Sequence, residues 1–376
     1  MKIIKLISRV LVGVTFIFSG FVKGIDPWGS AYKFTDYFTA MGLEWLVWAA
    51  FPLGILLAFT EFTIGVALLF NLFLRFFSWL ALLFMAFFLP LTLWVAVKNP
   101  VTDCGCFGDA LVISNWETFY KNVVLIILTI IVFIFKKDVG PVAGKKLSFI
   151  SGGGFVVLYI ILVVYSFNHL PILDFRPYKV GVNIPDAMKI PEGAQQEVYE
   201  NIFYYKNKST GEVEKFTEEN YPWQDTVNWA FDNMESILVE KGYEPPIHDF
   251  TAESEDGENV LDFFIYDENY VFMLVAYDLF KSSREPQEKI NTLANWAIQN
   301  NLSFVCLTST LQDEAREIAE ETGAPYEFFN CDEITLKTIV RSNPGLVVLK
   351  SGTIVAKYHY NDIPTPEEFE KEFMNK

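Results

Sequence analysis

Residues 46–70 read LVWAAFPLGILLAFTEFTIGVALLF and carry a single charged side chain, Glu61. The hydrocarbon core of a bilayer is about 30 Å thick and needs roughly 20 mostly apolar residues in one helix. This stretch exceeds that length, and it therefore predicts a membrane-spanning helix.

Four further stretches have the same apolar character, so the sequence predicts five spans before residue 168. They are residues 4–22, 76–97, 119–135 and 149–167. No cleavage site of small residues follows the first stretch, and we interpret it as an uncleaved anchor rather than a signal peptide. The lipid bilayer is thus the first expected partner.

The two halves of the chain differ in charge. Residues 1–167 carry a net charge of +4, whereas residues 168–376 carry −21. The second half has the mixed charged surface of a soluble domain. Its acidity argues against a nucleic-acid partner, because phosphates are bound mainly by Lys and Arg.

Lysines and arginines near the span ends predict the orientation of the chain. They occur at the N-terminus, at Arg75 after the second span, and after the fourth span. Five spans place these three regions on one side, which we assign to the cytoplasm. We therefore expect an inner-membrane protein with a cytoplasmic N-terminus, and with the 98–118 loop and everything after residue 168 in the periplasm. The lysines after the fourth span are Lys136, Lys137, Lys145 and Lys146.

Glu61 is a carboxylate inside a predicted span, where a charge is costly and usually faces a partner or a cavity. Arg9, in the first span, is its nearest partner by predicted depth. We interpret the two as a structural Arg9–Glu61 ion pair between helices. A proton or substrate relay and a protonated Glu61 remain alternatives.

Cys104, Gly105 and Cys106 lie together in the predicted extracytoplasmic loop, where thiols can be oxidised. A disulfide across one residue closes a small strained ring and gains little chain entropy, so it would be a poor structural bond. A strained, exposed disulfide exchanges readily, and glycine bends freely enough to let the sulfurs meet. The spacing favours a redox-active pair. Inert thiols and metal ligation are less favoured alternatives, and no histidine lies nearby to complete a zinc site.

Two stretches of the membrane half carry a resemblance to a known family. SGFVKGIDPWG at 19–29 and CGCFGDALVISNWETFYKNVVLIIL at 104–128 resemble the first-helix exit and the cysteine loop of the methylamine utilisation protein MauE, within the wider DoxX-like group. The resemblance implies a four-helix membrane domain over 1–140, followed by a linking fifth span over 141–171. It also implies a thiol–disulfide role for Cys104 and Cys106, with a quinone as electron acceptor by analogy, since no cofactor motif is evident.

Residues 172–245 form an extracytoplasmic linking region to which the sequence assigns no fold. One Trp-bearing segment within it has apolar residues at helical spacing, which predicts a helix. These residues are Val227, Trp229, Phe231, Met234 and Ile237.

Residues 246–376 alternate strand and helix patterns and end in a β-hairpin and a last helix. The pattern includes a turn at Asp256–Gly257, a buried strand over 270–279, a helix that ends at Gly323 and a hairpin around Ser351–Gly352. It predicts a mixed sheet with helices on both faces.

The order of these elements resembles the thioredoxin fold, and Pro344 matches the cis-proline before its penultimate strand. The usual active-site position reads AYDLFKSSREP at 276–286 and has no cysteine. Cys306 is expected in a buried strand and Cys331 at an exposed strand end, with a bridge between them as a minor alternative. The predicted fold class is therefore a multi-domain membrane protein, with an α-helical transmembrane bundle followed by an α/β thioredoxin-like domain.

Three functions are compatible with these features. The first is a membrane thiol–disulfide redox protein that acts on an extracytoplasmic client protein or thiol carrier through Cys104 and Cys106. The second is a non-catalytic, membrane-anchored assembly factor whose degenerate thioredoxin-like domain binds a partner. The third, a transporter built around Glu61, ranks last because the spans hold few other ionisable groups. Whether the protein is an enzyme stays open at this point.

Overall fold

A computed structural model describes residues 2–136, 144–240 and 242–375. The chain forms two compact units, one of residues 1–182 with 250–376 and one of residues 183–249. The predicted boundary at residues 140 and 141, and Lys137, lie outside the described residues.

Within the described part of the chain, five helices are long and apolar enough to cross a membrane, as predicted. The second span begins with a 3₁₀ turn, Glu44–Ala49, that continues into α3. One further helix, α2, lies in the segment between the first and second spans. The helices are α1 (Lys2–Ile25), α2 (Pro27–Ala40), α3 (Ala50–Phe70), α4 (Leu74–Lys98), α5 (Asn115–Ile134) and α6 (Lys145–Asn168).

Helix α2 starts at a strong local signal. The Asp26 carboxylate accepts a hydrogen bond from the Gly29 backbone N–H at 2.9 Å, and Pro27 occupies the first helical position. Both features favour helix initiation. The helix packs on the start of α3, where the Trp28 and Phe51 rings lie 4.5 Å apart.

Close packing of α1 on α3 depends on small residues. A Cβ atom at Gly20 would lie 2.5 Å from the Phe62 backbone nitrogen, and one at Gly65 would lie 2.6 Å from the Ile17 nitrogen. Membrane helices have no hydrophobic effect to drive them together, so close backbone approach through small residues is their main packing device.

Helix α6 packs on the bundle partly through a buried aromatic side chain, Tyr159. The Tyr159 ring stacks on Phe62 at 4.2 Å, and its hydroxyl donates to the Gly20 carbonyl at 2.8 Å. The fifth span therefore contacts the α1–α3 pair directly.

The unit of residues 183–249 corrects the helix prediction for 227–237. Its main element is a three-stranded antiparallel sheet in the order β2-β1-β3, and the predicted helix is part of β3. Strand pairing overrides helical spacing here, because Phe231 lies opposite Tyr205 and packs edge-on against its ring at 5.7 Å. The elements are α7 (Ile184–Met188), β1 (Val198–Asn207), β2 (Val213–Thr217) and β3 (Trp229–Glu240).

The C-terminal α/β domain confirms the predicted mixed sheet. Its five strands have the order β6-β5-β4-β7-β8, with β4, β5 and β6 parallel and β7 and β8 antiparallel. The elements are α8 (Leu261–Ile265), β4 (Tyr270–Val275), α9 (Gln287–Gln299), β5 (Ser303–Thr308), α10 (Gln312–Thr322), β6 (Glu327–Asn330), α11 (Glu333–Ile339), β7 (Gly345–Lys350), β8 (Thr353–His359) and α12 (Pro366–Phe369).

Several local predictions in this domain are confirmed. Gly323 ends α10 with φ +62°, the hairpin turns at Ser351–Gly352, and the Asn343–Pro344 peptide bond before β7 is cis. The expected hairpin at Asp256–Gly257 is reduced to a single antiparallel bridge between Glu253 and Asn259.

We expect substitution of Gly20 by Leu to break the α1–α3 packing, because the new side chain would meet the Phe62 backbone. The thermal unfolding midpoint of the detergent-purified protein should fall by several degrees, as for other overpacked sites that lose about 1–3 kcal/mol. Gly153→Leu on α6 is the matched control, since no atom lies within 4 Å of a Cβ built there. Equal midpoints for the two variants would contradict the packing argument.

Candidate functional site at the Cys104–Cys106 loop

The two neighbouring cysteines lie in the loop between α4 and α5, which we call the Cys loop (residues 99–114). Both are free thiols, and their Sγ atoms are 3.1 Å apart. Gly105 between them has φ +67°, a conformation that favours glycine. A Cβ at this position would also lie 2.9 Å from Cγ of Lys33, so the predicted need for glycine has both a conformational and a steric basis.

Two side chains of α2 hold one side of the Cys loop. Lys33 Nζ lies 2.7 Å from Oδ2 of Asp103, whose Oδ1 accepts the Gly105 N–H at 2.8 Å. The Tyr37 hydroxyl donates to the Cys104 carbonyl at 3.2 Å. The unpredicted helix α2 is therefore the main support of the dithiol on this side.

A buried polar cluster from α1 and α3 holds the other side of the loop. Lys23 Nζ lies 2.6 Å from the Cys106 carbonyl oxygen, 2.9 Å from the Glu61 carboxylate and 2.7 Å from Ser19 Oγ. Ser19 Oγ in turn lies 2.7 Å from the same carbonyl oxygen and 3.0 Å from Glu61. Lys23, Glu61 and Ser19 form what we call the Lys23 cluster.

The expected Arg9–Glu61 pair is wrong. Glu61 pairs with Lys23, whereas the Arg9 guanidinium hydrogen-bonds the Asn71 side chain. Arg9 and Lys23 are 14 positions apart on one helix, or about 21 Å at 1.5 Å per residue. A signal for Lys23 was present in SGFVKG, where Ser19 and Lys23 are four residues apart and share a helix face.

Electrostatics make the two thiols unequal. The pKa of the Cys106 thiol is lowered to about 6, chiefly by the hydrogen bond from Cys104 and further by the charges of Lys121 and Lys23, against the opposing effect of burial. The same hydrogen bond, together with burial, raises the pKa of Cys104. At neutral pH Cys106 is therefore the thiolate and Cys104 its thiol donor, the arrangement that makes a cysteine nucleophilic.

An apolar cavity of about 300 Å³ opens below the thiols, inside the helix bundle. Its polar end holds both cysteines, the Lys23 cluster and Lys121, and the rest is mainly aromatic and aliphatic. The apolar lining residues are Phe16, Phe34, Phe38, Met41, Leu57, Phe84, Met85, Phe87, Phe88, Leu91, Phe107 and Leu125. An apolar lining with one polar end fits an apolar molecule with a polar head.

The remaining predicted residues lie apart from this cavity. Cys306 is buried in β5, as expected, but Cys331 is buried too, which corrects its predicted exposure, and burial raises its pKa to about 12. Both are free thiols, so the alternative bridge between them is absent. Pro344 is buried in the α/β domain. In the described residues no group of three or more His, Cys, Asp or Glu side chains could hold a metal ion.

Comparison with known families matches two segments of the chain, and the first contains helices α1 to α5 with the Cys loop. Residues 1–135 match the family model of methylamine utilisation protein MauE. Residues 199–241 match a domain of unknown function that covers β1 to β3. No curated protein and no solved structure matches the chain.

The MauE match agrees with the expected resemblance and includes every side chain of the Lys23 cluster and both cysteines. The chain is thus a multi-pass membrane protein with a MauE-type region followed by an α/β domain.

We expect the alkylation rate of Cys106 in the MauE-type region to rise with pH with a midpoint near 6, because only the thiolate reacts. Cys104→Ala removes the thiol donor and should raise the midpoint by about one unit or more. Lys121→Gln should raise it less. Lys98→Gln, the same charge change outside the cavity, should not move it. A midpoint above 8 in the parent protein would refute the proposed thiolate.

We expect Lys23→Met to lower the thermal unfolding midpoint, because Glu61 would lose its buried partner, a loss worth about 3–5 kcal/mol for typical buried pairs. The double variant Lys23→Met with Glu61→Leu should recover most of that stability, since neither charge remains. Lys98→Met serves as the control. Failure of the double variant to recover would show that the cluster acts through the Cys106 carbonyl rather than through the ion pair.

Proposed function

We propose that this protein is a membrane thiol–disulfide oxidoreductase that uses Cys104 and Cys106 to oxidise dithiols of extracytoplasmic clients. The observation that carries the proposal is the 3.1 Å separation of the Cys104 and Cys106 sulfurs at the polar end of an apolar cavity, and the lowered pKa of the Cys106 thiol supports it. A structural or inert cysteine pair would need neither the lowered pKa nor a cavity.

The reaction has two balanced halves. A client dithiol reduces the Cys104–Cys106 disulfide by exchange: the client thiolate attacks Cys104, Cys106 leaves as thiolate, and the second client thiol releases Cys104. The leaving group with the lower pKa departs faster, which suits Cys106. The client gains one disulfide, and the loop gains two electrons as a dithiol.

In the second half, a lipid-soluble quinone takes two electrons and two protons from the loop dithiol and becomes the quinol. Support for a lipid-soluble acceptor comes from the cavity wall: Phe87 and Met41 line the cavity and expose 64% and 39% of their surface. A ligand with its polar head at Lys23 and Lys121 could pass its apolar tail out between these side chains.

The proposed orientation places the dithiol where client proteins are oxidised. The N-terminus with Arg9, the Arg75 loop and Lys146 would face the cytoplasm. The Cys loop and the α/β domain would then face the periplasm at the inner membrane, a compartment in which disulfides persist.

The α/β domain is proposed to be thioredoxin-like in its strand order and its cis-proline at Pro344, and to present clients rather than exchange disulfides itself. Its two cysteines, Cys306 and Cys331, are buried, and residues 276–286 carry none. The same observation favours the second candidate, a non-catalytic assembly factor in which this domain binds a partner.

The test uses the full chain in proteoliposomes. Dithiothreitol should reduce a short-chain ubiquinone analogue in the presence of the protein, and Cys104→Ser or Cys106→Ser should lower the rate at least tenfold, as is typical when a catalytic group is removed. Cys331→Ser is the matched control and should retain the rate.

Impermeant maleimide labelling of intact cells separates the alternatives. Labelling of Cys106 only after mild reduction would support an extracytoplasmic loop with an exchangeable disulfide. Absence of quinone reduction by the intact protein, together with full labelling without reductant, would replace the oxidoreductase by the assembly factor. No labelling even after reduction would overturn the proposed orientation.

A further inference from the structure

A second and larger cavity lies on the other side of the Cys loop. It measures about 930 Å³ and is enclosed by the MauE-type region and the α/β domain, both parts of the first compact unit. Its walls come chiefly from α2, the Cys loop, the segment 171–176 and α11. The lining is far more polar than that of the membrane cavity.

The Cys loop, α1 and α2 separate the two cavities. Lys23, Ser30, Lys33 and Gly105 line both, whereas Cys104 and Cys106 line the apolar one. Cys104 exposes only 9% of its surface. Of the Cys104–Cys106 segment only Gly105 lines the polar cavity, so a thiol bound there faces the loop backbone and neither sulfur.

One side chain of the α/β domain restrains the loop from the polar side. Arg341 Nε lies 2.9 Å from the Asp26 carboxylate, and its Nη2 lies 3.2 Å from Asp109, three residues after Cys106. Its guanidinium also lies 5.2 Å from the centre of the Tyr32 ring. Only 7% of Arg341 is exposed, and the two carboxylates raise its pKa against the effect of burial.

The charges in the polar cavity are largely compensated. Lys33 pairs with Asp103, Lys337 with Glu333, and Arg176 with Asp174. No excess of one sign remains to select a phosphate or a small carboxylate. A charge-balanced cavity of this volume next to the Cys loop fits a polypeptide segment, whose backbone carries donors and acceptors but no net charge.

We propose that the polar cavity is the docking site for an extended, cysteine-bearing segment of a soluble polypeptide, and that the Arg341–Asp109 bridge holds the Cys loop closed until such a segment enters. The proposal rests on the proposed function and adds to it the substrate class, the place where the substrate binds and the contact that controls its access to the thiols.

Entry of the segment would couple binding to exposure of the dithiol. A polypeptide in the cavity competes with Asp109 for Arg341, because its carbonyl groups accept hydrogen bonds from the guanidinium. Loss of the bridge frees the loop at Asp109, three residues after Cys106. Lys33–Asp103 and the Lys23 cluster still hold the other contacts, so the loop turns without leaving the membrane surface.

The docking site is tested with a short synthetic dithiol peptide and with dithiothreitol, each as reductant for quinone in proteoliposomes. Ile334→Trp places a large side chain in the cavity wall from an exposed position on α11. It should lower the peptide rate, relative to the dithiothreitol rate of the same variant, by about fivefold or more. Ile298→Trp, exposed on α9 and outside the cavity, should leave the ratio unchanged. Equal ratios in both variants would overturn the docking site.

The bridge is tested by the rate at which a water-soluble maleimide modifies Cys106 at pH 8, where the thiolate is fully formed. Asp109→Asn should raise the rate by about fivefold, and Arg341→Gln, which also loses the Asp26 contact, should raise it at least as much. The double variant should not exceed Arg341→Gln, because the Arg341–Asp109 contact is already absent there. Arg341→Lys should give a smaller increase.

Additive effects, or unchanged rates in variants with the parental unfolding midpoint, would overturn the bridge. If Arg341→Gln does not fold, Asp109→Asn alone decides between an increased and an unchanged rate. A different result would contradict the proposed function itself: the parent protein would then reduce no quinone, even with dithiothreitol as reductant.

Discussion

The contact between Lys23 and the Cys106 carbonyl oxygen is the one on which the site depends. It connects α1, α3 and the Cys loop at one buried point, with Glu61 as counter-charge. A charged lysine has a high free-energy cost at this depth unless it is paired. Lys23 therefore needs the ion pair with Glu61 in order to hold the loop in position. The charge that fixes the backbone of Cys106 also favours its thiolate. The Lys23 charge thus adds to the hydrogen bond from Cys104 and to the charge of Lys121 in lowering the pKa of Cys106.

The asymmetry of the two thiols follows from their surroundings rather than from their sequence. Cys104 lies beneath the Tyr37 hydroxyl and donates to its neighbour, whereas Cys106 receives that hydrogen bond and faces two ammonium groups. Identical residues two positions apart therefore differ in protonation at neutral pH. The surroundings also explain why the site has one apolar and one polar cavity. The loop backbone lies where the bundle ends and the α/β domain begins.

Much of the fold could be predicted because its signals are local. Apolar runs of sufficient length indicated the five spans, and strand–helix alternation indicated the mixed sheet. Non-local effects account for the failures. The segment at 227–237 has helical spacing, but cross-strand pairing of Phe231 with Tyr205 decides its conformation. Arg9 was the wrong partner for Glu61 because hydropathy gives the depth of a residue only to within a helical turn or two, and not its helix face. Helix α2 is too short and too polar to resemble a span, although its cap at Asp26 could have been recognised.

The covalent connection between α6 and the α/β domain lowers the strength of the contacts that are needed to keep the two together. His169 and Asn168, at the end of α6, contact Asp362 and Asn361 of the α/β domain directly. The domain is therefore tethered beside the Cys loop at a high effective concentration, and its release and return are unimolecular events. Under such a tether, a few ion pairs suffice to keep the domain in place. The fraction of molecules in which the domain is docked beside the Cys loop does not change when the protein is diluted in the membrane.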